Sequence, residues 1–454
     1  MLQKFSTLGV KTSFIMGTRH LIQTREFFLE LLDRLPARLS RITEPLIRWV
    51  KTLLSIVSEF SVDALDLRVR VNRDGEPLLL LFIGSKRRLP FLMGLVGTDD
   101  CKLEKSERLF FWEVKQYIRK RDQEADLVVL NVNKVLFRLV RPEGYLRIPE
   151  CVQSTLMLQG SFEEVEKRFH RSGLRKATNV RARGYRCEVL RDETALNHFY
   201  HEMYVPYVGT RFGALAVIDS YYKVRRLFRT GFLVAVRNED EYLSAAVCRI
   251  RGNRLTFELI GIEKGELTLL NKGAMDALYY YCIMMALEKK CTMINFGNSR
   301  PFLNDGILLY KRKWGSVLVQ NRKQYREIGI RCTPSRKAGD RFLLENYPVF
   351  LDGGGLSALI SSDGNAPLDV TSIQYMIQNY YDPGLARLVL LSPHGFDERV
   401  CRRYGSGSHE RVTLVTIPRG DWEAREHFLR ACGGQSTKTD PTMRASLGGR
   451  SGNA

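Results

Sequence analysis

The sequence predicts an α/β (α+β) protein of mixed sheets flanked by helices, with a small C-terminal α/β appendage. Three observations predict it. Short apolar runs of strand length alternate with longer stretches of helical period. The 454 residues carry 44% hydrophobic and 26% charged side chains, ordinary globular values that exclude a disordered, collagen-like or fibrous chain. At roughly 100–200 residues per domain the length gives about three domains, each able to bury a core without disulfides or structural metal.

Residues 1–60 read as an amphipathic helical N-terminal segment broken at Pro36 and Pro45. Leu46, Ile47, Val50, Leu53, Leu54 and Val57 fall at helical spacing. That face either docks on the protein's own core or lies on an anionic membrane as a peripheral contact. No secretory signal is recognisable and no apolar run is long enough to span a bilayer.

Residues 61–150 form an α/β unit. Residues 78–83 read as a strand after the turn Asn72-Arg73-Asp74-Gly75, and 91–96 as a second. Residues 104–122 read as a helix with Phe110, Val114, Tyr117 and Ile118 on one face, and 125–132 as a further strand.

Residues 151–330 form a second, richer unit. Ser161 with Glu164 three positions on is a capping box, opening a helix that runs toward Val180 and stops at Gly184. Helices follow at 195–207 and 219–228. Strands at 232–236, 244–251 and 254–262 are joined by short polar turns as a meander. A helix with Ala274, Ala277, Leu278, Tyr281 and Met285 on one side leads to a strand at 293–296 and a closing segment through Trp314 to Val319.

Residues 331–432 read as the small α/β appendage, with turn-rich 331–370, strands at 387–392 and 411–417, and a helix at 421–430. The Gly/Ser/Thr-rich 433–454 reads as a disordered tail. The turn Asp352-Gly353-Gly354-Gly355 lacks the Lys-Ser/Thr of a phosphate-binding loop.

Seventy Lys+Arg against 50 Asp+Glu give a net charge of +20, which favours polyanionic partners without choosing among them. Nine cysteines without a CxxC pair suggest reduced thiols, hence a cytoplasmic setting or the inner face of a membrane, and no thiolate zinc site. His198 and His201 are three apart on a helix, but no third metal ligand is recognisable, so no metal is expected.

The chemistry concentrates in residues 258–316. Asn271, Lys272, Gly273 and Ala274 open a helix whose unpaired N–H groups and dipole suit a phosphate or carboxylate. Here the order of elements resembles the GNAT acyltransferase superfamily, and more closely the branch shared by Fem-type transferases and cellulose-biosynthesis-type acetyltransferases. Three segments carry the resemblance: GSFEEVEKRFHRSGLRKATNVRARGY (160–185), LLNKGAMDALYYYCIMMALEKK (269–290) and INFGNSRPFLNDGILLYKRKWGS (294–316). In the last, Gly297, Ser299, Lys311, Trp314 and Gly315 fall in register, while Asn295 stands where the pattern has Asp. The match covers about 170 residues, 151–330, and 61–150 would then be a degenerate first lobe of two tandem lobes.

The resemblance implies a GNAT-like mixed sheet with a V-shaped opening between parallel strands. It also implies an acyl donor, acyl-CoA and most simply acetyl-CoA, inserted there near 271–274, and acyl transfer to an amine. Glu258, in the strand facing the opening among apolar neighbours, is the candidate base. Lys311 is the candidate cation for developing negative charge, with Tyr310 as leaving-group acid if the register slips by one. Asn295, Gly297, Ser299 and Arg300 flank a strand end where α/β sites commonly lie, and Tyr204, Tyr207 and Arg211 would line the acceptor side.

Within 161–191, nine Lys+Arg stand against four Asp+Glu, about a quarter of the net charge, on one basic helix and its continuation. Three functions stay open. The first is an N-acyltransferase acting on an amine of a sugar, lipid or cell-envelope precursor. The second is a Fem-type transferase drawing on aminoacyl-tRNA, with the basic helix on the RNA backbone. The third is an inactive GNAT-like binding module.

Overall fold

The computed structural model describes residues 60–69, 77–96, 101–121, 124–140, 144–213, 216–322, 324–332, 345–353, 355–362, 364–404 and 411–417, with a few isolated positions. The expected N-terminal helices, the 421–430 helix and the tail lie outside this range, apart from Trp49, Leu53 and Phe428. The architecture is mixed α/β, with three sheets flanked by helices, as the sequence predicts.

The first lobe runs β1 (Ser61–Val69), β2 (Leu78–Gly84), α1 (Leu89–Val96), β3 (Cys101–Phe110), α2 (Phe111–Arg121), β4 (Leu127–Asn133), α3 (Lys134–Val140) and β5 (Leu146–Pro149). Two expectations fail here. The strand expected at 91–96 is helix α1, which buries Leu92, Met93 and Val96. A short, wholly apolar run carries no period that separates strand from buried helix. The helix expected from Glu104 begins only at Phe111, because 101–110 pair antiparallel with β1 along its length. Cross-strand charge pairs support that pairing: Arg68 with Glu104 at 2.8 Å and Arg108 with Asp63 at 3.5 Å. The polar KLEKSER run is an edge strand, and helical periodicity holds only from Val114 to Ile118.

The second lobe begins with β6 (Val152–Met157) and α4 (Phe162–Glu166), where the capping box forms between Ser161 and Glu164. The single helix expected toward Val180 is two. The chain breaks after Glu166, restarts as α5 (Arg171–Arg183) with His170 as N-cap, and ends on Gly184 at φ 64°. Then come β7 (Arg186–Leu190), α6 (Glu193–His198), a π-helical turn (Phe199–Tyr204), α7 (Val205–Phe212), α8 (Tyr221–Arg229), β8 (Phe232–Asn238), β9 (Glu241–Arg251) and β10 (Arg254–Ile262). The lobe closes with α9 (Thr268–Asn271), α10 (Ala274–Glu288), β11 (Met293–Ser299), α11 (Gly306–Arg312) and β12 (Val317–Gln320).

The next strand, β13 (Arg326–Cys332), does not stay in this lobe. It inserts between β4 and β5 of the first sheet, whose order is β3-β1-β2-β4-β13-β5. β6, which follows β5 directly, opens the second lobe and lies between β12 and β11 in the second sheet, of order β12-β6-β11-β10-β9-β8-β7. The boundary expected at residue 330 therefore falls inside a strand that completes the first lobe. The five-strand cores β5-β13-β4-β2-β1 and β12-β6-β11-β10-β9 are equivalent. Each has one parallel pair, β2 with β4 or β10 with β11, and antiparallel pairs elsewhere. The first lobe is thus closed by a strand that follows the second lobe in the chain, so it does not complete its ladder alone.

The third sheet holds β14 (Val349–Asp352), β15 (Gly355–Ser361), β16 (Leu385–Ser392) and β17 (Val412–Thr416), the last three parallel. Helices α12 (Val370–Tyr380) and α13 (Glu398–Tyr404) make the crossovers. Alternation puts Leu359, Val389 and Leu391 into the first lobe's core. Ala358, Ile360, Leu388 and Leu390 pack with Ile373 and Val400, and with Leu303, Leu308 and Leu318 of the second lobe. The segment expected to be an appendage is wedged against both lobes. Asp382, fully buried, pins it: its Oδ1 accepts from the N–H of Leu318 and of Gly384, both at 2.8 Å.

Candidate active site

The two parallel pairs differ where it matters. In the first lobe β2 and β4 stay paired from Leu80–Leu127 to Gly84–Asn131, the end of β2. In the second lobe β10 and β11 pair at three positions only, Arg254–Met293, Leu255–Ile294 and Thr256–Asn295, and then part. Both strands run on, to Ile262 and Ser299, and no other described strand fills the gap between them.

The cause is local. On β10 the register with β9 slips at Glu258, a bulge. On β11 the register with β6 slips between Asn295 and Asn298, around Gly297 at φ 77°. Two bulges turn the strands away from each other, and an aromatic wedge occupies the core side of the fork. Tyr279 from α10 lies 5.1 Å from Phe257 and 4.8 Å from Phe296, centroid to centroid, and Trp314 backs it at 5.9 Å. Burial pushes the Tyr279 hydroxyl pKa up, with Tyr207 adding to the shift and Arg211 opposing it.

Lys311 sits under the displaced end of β11. It is 3% exposed, and its ammonium donates to Gly297 O (3.1 Å), Asn298 O (2.7 Å) and Ser299 Oγ (3.0 Å). Beyond Asn295 the Gly297 and Asn298 carbonyls have no β10 partner, and the Lys311 ammonium bonds both. Burial pulls its pKa down from 10.5 to about 7, against the opposing pull of Asp305 and Cys151. Gly297, Ser299 and Lys311 are therefore one unit. Asn295 Oδ1 joins it, accepting from Gly297 N at 2.8 Å.

Glu258 lies on the opposite face from Phe257. The apolar surroundings expected for it are absent. Its carboxylate is held by the Arg249 guanidinium, whose Nε lies 2.6 Å away. The pair lines a cavity of about 740 Å3 whose floor includes Thr256 and Asn295, the last paired positions before the fork. Arg251, Arg254 and Arg322 also line it, with Gln153 and Asn321, and the third sheet supplies a wall at Gly355, Leu356 and Gly384.

Other expected site residues lie elsewhere. The four residues expected to open one helix do not: Asn271 ends α9, Lys272 caps it, and only Gly273 and Ala274 start α10, away from this cavity. Gly273 is the N-cap at φ 81° with no side-chain cap, and Tyr185 donates to Lys272 O at 2.6 Å. The first turn of α10 already carries its own carboxylate, Asp276, which accepts from Lys176 at 2.7 Å and from Tyr310 at 2.7 Å. Burial first, then Asp276, raises the Tyr310 pKa, so its proton is committed to that carboxylate. Arg300 is a brace. It pairs with Asp305 at 2.7 Å and donates to Gly94 O of the first lobe. Tyr204 accepts from Asp219 N at 3.0 Å, and burial raises its pKa to about 12. Arg211 donates to Tyr207.

The basic helix is partly spent internally. Arg168 donates to Met157 O and Gln159, Lys176 pairs with Asp276, and Arg181 pairs with Glu166. His198 pairs with Glu263 at 2.9 Å, and among the described residues no group of His, Cys, Asp and Glu could hold a metal ion. The described cysteines are free thiols, and no helix among the described residues is long and apolar enough to cross a membrane.

Sequence reasoning missed the arginine-lined wall. Its signal was present in CRIRGNRLTFE, where Arg249 and Arg251 are two apart on one strand and Arg254 follows the turn. That spacing puts Arg249 and Arg251 on one face of β9.

No protein-family model matches the chain, and no curated protein matches it. Three solved structures give distant likenesses. FemX has 15% identity over 62% of this chain and 90% of its own, with a TM-score of 0.32. L-PGS from Bacillus licheniformis has 14% identity over 58% of this chain and 80% of its own, with a TM-score of 0.29. A GCN5-related N-acetyltransferase from Sphaerobacter thermophilus has 10% identity over 59% and 81%, with a TM-score of 0.27.

Proposed function

We propose that the second lobe is an N-acyltransferase that takes its acyl group from an acyl-CoA and passes it to an amine. The observation that carries the reading is the fork. Beyond Thr256 and Asn295 the two strands part with no described strand between them, leaving the β10 edge facing a β11 end whose Gly297 and Asn298 are held by Asn295 and Lys311. An extended donor arm with amide groups fits such a gap by taking the place of a strand. The first lobe, with its parallel pair closed to the end of β2, has no such gap and serves as scaffold.

In this reading the donor carbonyl lies at the fork and the amine approaches from the cavity. The amine nitrogen attacks the carbonyl carbon, a C–N bond forms, the C–S bond breaks and the thiolate leaves. Glu258, the carboxylate at the fork, takes the proton from the nitrogen, directly or through water, and the proton ends on the departing sulfur. Arg249 orients Glu258. Lys311 acts through Gly297, Asn298 and Ser299 as a positioning residue for the displaced end of β11.

Calorimetry with acetyl-CoA on the full chain tests the reading, paired with hydrogen exchange at 258–260 and 296–298. Binding with new protection at both edges is the expected result. No binding and no protection sinks it. Glu258→Gln keeps an acceptor for Arg249, so donor binding should persist while transfer falls about 100-fold or more.

A further inference from the structure

The first lobe carries a surface that the acyl-transfer reading does not use. Helices α2 and α3 both pack on one face of the first sheet. There Val114 and Ile118 of α2 and Leu136, Phe137 and Val140 of α3 share a core with Val128, Leu130 and Val132. The opposite face of that sheet packs on the third sheet. The two helices are therefore an outer layer, and their solvent faces point the same way. On α2 the spacing i, i+3, i+4, i+7 puts Trp112, Lys115, Gln116 and Arg119 on that face, and α3 adds Val135, Arg138 and Leu139.

This face is apolar and cationic at once. Trp112 is 58% exposed, Val135 47% and Leu139 61%. Five of the seven residues of α3 are apolar, and the sheet buries only three of them. The Trp112 indole lies flat on Phe110, centroids 4.6 Å apart and planes 7° apart, which fixes the ring at the surface. Around these side chains stand Lys115, Arg119, Lys120 and Arg138, all exposed. Glu113, the single acid of the two helices, accepts from Phe110 N at 2.8 Å. Asp66 and Glu124, near the end of α2, are both taken by Arg121, and among the described residues the four exposed cations pair with no carboxylate.

We infer that the outer face of α2 and α3 seats the protein on an anionic membrane surface. Trp112, Val135 and Leu139 enter the headgroup boundary, and Lys115, Arg119, Lys120 and Arg138 lie among the lipid phosphates. Apolar side chains ringed by cations, with a tryptophan among them, are the pattern of an interfacial helix face. The aliphatic stems of the cations extend its apolar area. Charge decides against the other occupants. A second copy would bring the same cations face to face, because a two-fold contact uses one patch twice. Residues 1–59 hold nine Lys+Arg against five Asp+Glu, so that segment has the wrong sign to cover the face. A nucleic-acid backbone would satisfy the cations and leave Val135 and Leu139 with nothing to pack on. The inference does not rest on the transferase reading.

The test mixes the full chain with vesicles of phosphatidylcholine alone, or of phosphatidylcholine and phosphatidylglycerol in equal parts, in about 150 mM salt, where weak surface attraction is largely screened. Co-sedimentation reads the bound protein. Three paired variants are compared with wild type: Trp112→Gln with Leu139→Gln, Arg119→Gln with Arg138→Gln, and Trp49→Gln with Leu53→Gln as a control for the N-terminal segment. All six side chains are exposed, so the variants are expected to fold, and circular dichroism checks this. Wild type should bind the anionic vesicles about tenfold or more tightly than the neutral ones. Each of the first two pairs should lose about tenfold or more of that affinity.

No binding of wild type to the anionic vesicles overturns the proposal, and so does wild-type affinity in either of the first two pairs. Loss in the control pair alone assigns the membrane to the N-terminal segment and overturns it as well. Loss in the arginine pair only, with tRNA competing the vesicles off, makes the face a nucleic-acid contact. A wild-type dimer in sedimentation velocity that Trp112→Gln with Leu139→Gln dissociates makes it a contact between copies; both of these results also overturn the proposal. Vesicle binding without any acetyl-CoA binding keeps the membrane face and removes the transferase reading, so the two failures are distinguishable.

Discussion

Lys311 gives the sharpest prediction, because its burial has a sign that can be read in solution. The amine is 3% exposed, and burial pulls its pKa from 10.5 to about 7. In the unfolded chain the proton stays until about pH 10.5; in the fold it leaves above about pH 7. Between those limits the unfolded state binds more protons, so stability rises with pH in this window and is independent of Lys311 below it. From pH 7 to pH 9 the gain works out at about 2 kcal/mol. Lys311→Met removes this contribution.

The assay is urea unfolding followed by tryptophan emission at pH 7 and 9, since Trp314 is fully buried three residues away. The wild-type stability, less that of Lys311→Met, should rise by about 2 kcal/mol between the two pH values. Titrations of cysteines and tyrosines away from Lys311 cancel in the difference, and burial pushes the neighbouring Cys151 thiol up to about 11, outside the window. An unchanged difference would show that the three hydrogen bonds keep the ammonium charged at an ordinary pKa, and would refute the argument from burial. A second consequence is local. A neutral amine has only two N–H groups, so above pH 7 one of Gly297 O, Asn298 O and Ser299 Oγ loses its donor, and hydrogen exchange at 297–299 should accelerate with pH beyond its intrinsic rate.

Two substitutions test the geometry around the fork. In Gly384→Ala the added Cβ would lie 1.9 Å from the backbone carbonyl oxygen of Leu318, which cannot swing away. It should cost about 3 kcal/mol and loosen the third domain, read as a lower urea midpoint and new cleavage near residue 384 in limited proteolysis. Gly297→Ala places a side chain at φ 77° and 3.2 Å from Phe257 O, at the point where the strands part. A loss of about 1–2 kcal/mol is expected, with weaker acetyl-CoA binding in calorimetry; unchanged donor affinity would separate the Gly297 turn from the donor slot.

The site was legible in proportion to how local its causes are. Gly297, Ser299 and Lys311 were marked by the resemblance of one short segment to a family pattern, and the structure brings them together by hydrogen bonds inside that segment. The Ser161–Glu164 capping box and the Gly184 helix end were also legible, because caps are decided by three or four residues. The phosphate role expected for 271–274 met a competitor that local reading cannot see: Asp276 lies in the same helix turn, but its partners Lys176 and Tyr310 come from α5 and α11. Arg300 was expected at the site, but Asp305 and the Gly94 carbonyl of the first lobe engage it.

By itself, then, the sequence determined the mixed α/β class, the meander of β8 to β10 and the helix α10, because periodicity and turn residues act over a few neighbours. It also determined which short segments carry unusual chemistry. Only the tertiary structure decided that β13 returns to the first lobe, since a strand's partners are chosen by ladder pairing over more than 100 residues and its side-chain pattern is the same in either sheet. Only tertiary structure made 101–110 a strand, because β1 offered it charged partners. And only the docking of the third sheet, pinned by Asp382, put a wall beside the arginines of β9 and β10 and made a half-open cavity next to the fork. Hydrogen bonding within a segment is written in its residues; the choice between distant partners is settled by which arrangement buries the most apolar surface with every backbone group paired.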